Sequence, residues 1–101
     1  MKTFFDGIFI DDNKLKDEDI QYPIKLEYYK TIEKEENVKA KYGIEIVKTE
    51  YIEGNVNIES KRLDNVVDSL EELDRILTIL RDNEVTPIGM QDVLEDMFIK
   101  L

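Results

Sequence analysis

Two stretches of the chain, 24–32 and 38–46, alternate between apolar and polar side chains. This period of two is typical of strands that bury one face. Closing them with a loop over 33–37 puts the apolar side chains of both stretches on the same face. The predicted cross-strand pairs are Ile24–Ile46, Leu26–Ile44, Tyr28–Tyr42 and Ile32–Val38 on that face, with Lys25–Glu45 on the other. The pattern therefore predicts an antiparallel hairpin.

A third strand follows the turn Glu-Gly-Asn at 53–55, whose residues tolerate the backbone angles of a tight turn. If the last two of these form the loop, Tyr51 faces Ile58. The odd-numbered residues near the end of the second strand would then point to the apolar face, whereas at its start the even-numbered residues do so. We therefore expect a β-bulge in the second strand, at 46–47 or alternatively at Gly43.

The last third of the chain changes to a helical period. One helix is predicted from about residue 69 to 82, with Asp68 or Ser69 as its cap, and a second helix begins at 86–87, where Thr caps and Pro takes the first helical position. The apolar stripe of the first helix is Leu70, Leu73, Ile76, Leu77 and Leu80. That of the second helix is Met90, Val93, Leu94, Met97, Phe98 and Leu101.

These elements predict an α+β fold, in which a three-stranded antiparallel β-meander is followed by two helices packed on one of its faces (β-β-β-α-α). Residues 11–19 hold one apolar side chain among polar ones and are interpreted as a linker. We therefore divide the chain into an N-terminal apolar segment and acidic linker, 1–22, and a single α+β domain, 23–101.

The closing segment 83–96, NEVTPIGMQDVLED, resembles the C-terminal signature of small uncharacterised proteins from clostridia and related Firmicutes. The strand YGIEI at 42–46 is similar to their central strand. That group has no established activity. The resemblance therefore implies a compact domain inside a bacterial cell, and it transfers no site residue.

The charge of the chain is acidic and unevenly spread. The net charge is -10, of which residues 1–22 contribute -3, residues 23–62 contribute 0 and residues 63–101 contribute -7. An acidic C-terminal third repels phosphates, so direct binding to nucleic acid is not expected. This acidic third would instead attract a protein with a basic surface.

Most catalytic chemistry is absent, because the 101 residues contain no histidine, cysteine or tryptophan. Without these side chains we expect no catalytic residue, no cofactor and no metal site, and only oxygen ligands for Ca²⁺ or Mg²⁺ remain.

No apolar stretch approaches the roughly 20 residues of a membrane span. The lack of cysteine and of a signal-peptide pattern favours the cytoplasm.

One acidic surface stands out on the second helix. Its carboxylates are spaced so that like charges lie side by side, at a cost of a few tenths of a kcal/mol per pair, and two isoleucines project to the same side. The candidate partner-binding residues are Asp92, Glu95, Asp96, Ile88 and Ile99. The alternative is an ordinary solvated face on which Asp96 pairs with Lys100.

The N-terminal segment offers a second candidate, a docking segment formed by Phe4, Phe5, Ile8 and Phe9. These large apolar side chains either fold back as an edge strand or helix of the same domain, or dock on another chain. In the second case, exchange between two copies makes a homodimer.

We therefore expect a non-catalytic, small acidic protein-protein interaction or regulatory module that binds a basic partner. The first alternative is a self-associating structural module, dimeric through the N-terminal segment and the C-terminal helix. The second alternative is a carboxylate-based, Mg²⁺-dependent enzyme.

Overall fold

The computed structural model describes residues 2–10, 22–33 and 41–97. Its elements are β1 (Lys2–Ile10), β2 (Ile24–Glu33), β3 (Lys41–Ile52), β4 (Asn55–Val67), α1 (Leu70–Asp82) and α2 (Met90–Asp96). The four strands form one antiparallel sheet in chain order. The α+β class is confirmed, but the expected number of strands was wrong, because the N-terminal segment adds β1 at one edge of the sheet.

The predicted linker over 11–19 lies outside the described residues. The division of the chain near residue 22 stays a prediction. Within the described part, Ile8 of β1 pairs with Leu26 of β2, and Ile10 pairs with Ile24. The apolar N-terminal segment is therefore an edge strand of the same sheet.

The predicted register between β2 and β3 was wrong. Leu26 lies opposite Lys48, four residues beyond its expected partner Ile44, and Ile44 lies opposite Lys30. The last pair before the connection between β2 and β3 is Glu33 with Lys41, so this connection is longer than the expected loop over 33–37. An even shift keeps each side chain on its expected face. The observed partners of the predicted pairs are Glu50 for Ile24, Thr49 for Lys25, Ile46 for Tyr28 and Tyr42 for Ile32.

The turn between β3 and β4 uses Glu53 and Gly54, because Ile52 pairs with Asn55. Gly54 has a φ of +80°, a left-handed conformation that glycine adopts without strain. The expected loop of Gly54 and Asn55 was therefore displaced by one residue. As a result, Tyr51 lies opposite Val56 rather than Ile58.

The expected irregularity lies at the alternative position, Gly43, and not at 46–47, but the change of face expected within β3 was wrong, because the pairing is regular from Ile44 to Ile52 and Tyr51 is exposed. Tyr42 pairs with Val67 and Ile44 pairs with Leu63. Gly43 alone therefore lies opposite residues 64–66, and the extra residues belong to β4. A Cβ atom at Gly43 would overlap the carbonyl oxygen of Leu63 and the hydroxyl of Thr31. Glycine is required here because the backbone of β4 closes directly over this position.

Both helices pack on one face of the sheet, here called the inner face; the opposite face is the outer face. α1 lies across all four strands. The core consists of Ile10, Ile24, Leu26, Tyr28, Ile44, Ile46, Val66, Leu73, Ile76, Leu77, Leu80, Val85, Met90 and Leu94. Leu70 was expected in the α1 stripe, but it is 47% exposed because it lies at the first helical position, before the helix reaches the sheet.

The predicted bounds of α1 are confirmed. Ser69 caps the helix, its side chain accepting a hydrogen bond from the backbone N–H of Glu72 at 3.3 Å, and Asn83 follows its last turn. The start of α2 was predicted three residues too early. It begins at Met90 after turns in which Gly89 N–H donates to the carbonyl oxygen of Thr86. The expected core residues Phe98 and Leu101 lie outside the described residues.

The sheet is longer than the helices that cover it. β4 has 13 residues and spans about 43 Å, whereas α1, with 13 residues, spans about 20 Å. The molecule measures 48 × 26 × 18 Å. The hairpin of β3 and β4 therefore projects beyond the helices, and residues 55–60 are exposed.

Candidate protein-interaction surfaces

Charge separates by layer in this fold. Each of the four strands carries equal numbers of acidic and basic residues. Residues 68–97, here called the helical layer, carry only Arg75 and Arg81 as basic residues. Against these two stand nine acidic residues: Asp68, Glu71, Glu72, Asp74, Asp82, Glu84, Asp92, Glu95 and Asp96. The negative field of the described protein therefore arises on the helical side of a neutral sheet.

Both arginines of the helical layer are already engaged. Arg75 pairs with Glu72 one turn earlier on α1. Arg81 pairs with Asp82 at 3.0 Å and with Asp6 of β1 at 2.9 Å. The contact with Asp6 connects α1 to the edge strand. The bonds from Gly7 N–H and the Arg81 guanidinium lower the pKa of Asp6 below its usual value.

The sequence-predicted surface on α2 is exposed. Asp92, Glu95 and Asp96 all face solvent, and Ile88 is 75% exposed in the turn before the helix. Ile99 lies outside the described residues. No described cation is within ion-pair distance of these three carboxylates.

The actual bounds of α2 change the electrostatics of that surface. Asp92 lies in the first turn, where the helix dipole favours a negative charge. Glu95 and Asp96 occupy the last turn, which holds no basic residue and where the dipole disfavours them. The charges that oppose the helix dipole are therefore those of Glu95 and Asp96.

An open groove of about 430 Å³ separates β4 from the turn that precedes α2. Its lining residues are Glu59, Ser60, Lys61, Pro87 and Ile88. One wall is therefore the edge of the sheet and the other is apolar.

A chain of hydrogen bonds fixes α2 beside that edge. The Lys61 ammonium donates to Gln91 Oε1 at 3.1 Å, and Gln91 Nε2 donates to Glu95 Oε1 at 3.3 Å. Sequence spacing indicated Glu95 and Ile88 but missed Lys61 and the groove, because β4 and α2 meet only in the tertiary structure.

The outer face of the sheet is not covered by either helix, and it carries exposed apolar side chains. Phe4 contacts Tyr29 edge to face at 5.6 Å between ring centroids, and Phe9 lies 6.2 Å from Tyr51. The exposed apolar residues of this face are Phe4, Phe9, Tyr51, Val56 and Ile58. Several exposed apolar side chains on one face mark a contact surface more often than isolated exposed apolar side chains do.

The predicted docking segment is divided between two environments. Phe4 and Phe9 are each 55% exposed on the outer face. Phe5 and Ile8 are partly buried and pack against the core. Only Phe4 and Phe9 remain available for contact with another molecule, while the other two stabilise the domain itself.

Every shifted pKa among the described residues lies farther from neutral pH than the usual value of its group. Tyr29 donates to Glu27 Oε2 at 2.7 Å, which raises its pKa to about 12. Burial raises the pKa of Tyr28 well above its usual value, and nearby Glu27 raises that of Lys25. Within the described residues, no group of three or more Asp, Glu, His or Cys side chains is placed to hold a metal ion.

Among the described residues, no helix combines the length and hydropathy needed to cross a membrane. No curated protein and no solved structure gives a significant match to this sequence. A protein-family model does match it, described as a family of unknown function (DUF6514), and the match extends over residues 8–100. That range takes in all four strands in whole or in part, both helices, the β4 groove and the acidic surface of α2. The chain therefore belongs to the DUF6514 family of unknown function.

Proposed function

We propose that this protein is a non-catalytic interaction or regulatory module whose acidic helical layer binds a protein with a basic surface. The observation that carries the proposal is the separation of charge, with nine acidic and two basic residues in 68–97 against balanced strands. Such a one-signed surface attracts an oppositely charged partner over distance and orients its approach.

The binding surface is centred on α2 and the turn before it. Glu95 and Asp96 stand at the helix end that disfavours negative charge, with no described cation beside them. A basic partner would neutralise both charges and cover the exposed side chain of Ile88. Asp92 completes this surface, since it lies one turn before Asp96.

The proposal also places the protein in the cytoplasm of a bacterium. This rests on the absence of cysteine and on the resemblance of residues 83–96 to proteins of clostridia and related Firmicutes.

Affinity capture from a clostridial lysate at low and high salt tests the proposal. We expect less partner to be recovered at high salt, less again with Asp92, Glu95 and Asp96 all changed to Gln, and none with all three changed to Lys. A matched control changes Glu45, Glu53 and Asp64, which lie on the sheet and its turn outside the helical layer, to the corresponding amides, giving the same net charge. Equal capture by the folded Lys variant and the native protein would contradict the proposal.

Self-association is a second candidate, favoured by Phe4 and Phe9, which are both 55% exposed on β1 at the edge of the sheet. Here the N-terminal segment and the C-terminal helix of two copies form the interface. Light scattering over a concentration series tests it, and a mass that stays constant would contradict it.

The carboxylate-based Mg²⁺-dependent enzyme has no observation in its favour among the described residues.

A further inference from the structure

β4 is the last strand of the sheet, so one side of its backbone faces away from β3. The direction of each backbone group follows from one hydrogen bond. Tyr51 N–H donates to the carbonyl oxygen of Pro23 at 3.0 Å, so the backbone of Tyr51 is directed away from β4. In an antiparallel ladder the direction alternates at each residue, so Ile52 and Glu50 are directed toward β4.

The partners of Ile52 and Glu50 on β4 are Asn55 and Asn57, whose backbone groups therefore point back to β3. The intervening residues Val56, Ile58 and Ser60 direct their N–H and C=O groups outward. No described strand pairs with this side of β4. Such a row of outward donors and acceptors is a template for one more strand.

The groove lies beside this row of backbone groups. Ser60 is one of its lining residues, and Pro87 and Ile88 form its other wall. A strand added to β4 would project alternate side chains toward the inner face, where the groove has room for them. The geometry combines backbone pairing with a side-chain pocket, as in proteins that bind peptides by strand addition.

We propose that this edge of β4 accepts an extended segment of a partner protein in which apolar and basic side chains alternate. The inference rests on the proposed function and specifies the partner's chemistry. On the outer face, Val56 and Ile58 are 58% and 67% exposed and match apolar side chains of the added strand. On the inner face, the stem of a Lys or Arg packs along Ile88, and its charge meets the exposed carboxylates of α2. Glu59 is already paired with Lys48 at 3.3 Å, and Lys61 of the groove is bonded to Gln91.

A second copy of this chain fits the edge less well. Antiparallel pairing of two β4 strands about a two-fold axis perpendicular to the sheet would place both helical layers on the same side. Each helical layer carries nine acidic against two basic residues, so the two layers would repel each other. A basic segment would instead be attracted by the net negative charge of the helical layer.

The test uses a synthetic peptide of alternating Val and Lys and the full-length protein. One version is N-methylated on the backbone edge that pairs with β4, and a matched control is N-methylated on the opposite edge. We expect the first to bind about tenfold more weakly than the control, because its hydrogen bonds to β4 are lost while composition and charge are unchanged. Amide exchange at Ile58 and Ser60 should slow on binding of the control peptide.

Variants of Ile58 provide a second readout. Ile58→Pro removes an outward N–H without breaking the ladder to β3, whereas Ile58→Ala keeps the N–H and shortens the side chain. We expect the Pro variant to bind the peptide at least several-fold more weakly than the Ala variant.

Three outcomes would overturn strand addition. They are equal affinity for the two methylated peptides, no binding of either, or a peptide-free dimer that protects the amides of Ile58 and Ser60. None of them decides the proposed function, which is judged by capture with the α2 charge variants.

Discussion

The phenol of Tyr28 donates a hydrogen bond of 2.9 Å to the carbonyl oxygen of Val85, joining the centre of β2 to the connection between the two helices. Both residues belong to the core, and Tyr28 is fully buried. Because Pro87 and Ile88 follow Val85 by two and three residues, this bond also positions the apolar wall of the β4 groove. The core of the domain and the candidate binding site therefore depend on the same contact.

Replacing Tyr28 with Phe should lower the free energy of unfolding by about 1–2 kcal/mol, because the carbonyl of Val85 loses its buried partner while the ring still packs. Tyr29→Phe is the control, since its hydroxyl bonds to the side chain of Glu27 near the surface. Urea unfolding of both variants measures the difference. A Tyr28→Phe variant as stable as the native protein would show that the bond contributes nothing.

Stability should fall as the pH rises above 10. The pKa of Tyr28 is raised by burial and that of Tyr29 is raised to about 12, whereas both return to about 10 in the unfolded chain. Above pH 10 the unfolded state therefore releases protons that the folded state retains, and the balance shifts toward unfolding. Below pH 10 this contribution is fully present. Thermal unfolding from pH 8 to pH 11 measures the effect, which should be smaller in Tyr28→Phe.

Hydrophobic alternation predicted the inner-face residues of β2 and of the first half of β3, but it placed Tyr51 and Ile58 on the wrong face and did not predict the register. Leu26 lies opposite Lys48 rather than Ile44, and both arrangements leave Leu26 and Ile44 on the inner face. A shift by an even number of residues changes no side chain's face, so the pattern cannot distinguish the two. Only the length of the connection between Glu33 and Lys41 separates them.

The candidate site could be predicted only in part. Helical spacing identified Asp92, Glu95 and Ile88 as one exposed surface, and all three face solvent. The groove was missed because it requires β4 to lie beside the turn before α2, which is a tertiary contact. The free edge could have been found, since the last strand of a meander is an edge strand by construction.

Gly43 provides a test of the closure of β4 over β3. Gly43→Ala should destabilise the fold by about 2–3 kcal/mol, because its methyl group would overlap backbone and side-chain atoms of two strands. Gly89→Ala is the matched control, since its nearest neighbour, the Thr86 hydroxyl, is 3.7 Å away. Denaturant unfolding should show a large loss for the first and little change for the second. Equal stability of the two variants would mean that β4 does not close over Gly43.

The charges of α2 should affect stability in opposite directions according to their place in the helix. Asp96→Gln removes a negative charge from the last turn and should raise the free energy of unfolding by a few tenths of a kcal/mol. Asp92→Gln removes a favourable charge from the first turn and should lower it by a similar amount.

Thermal unfolding at low ionic strength compares these variants, and added salt should reduce both effects. If Asp96 serves a basic partner at a cost to the helix, Asp96→Gln should be more stable and yet capture less partner. Lower stability in Asp96→Gln would show instead that this carboxylate supports the fold, and the argument for α2 as a binding surface would lose its electrostatic basis.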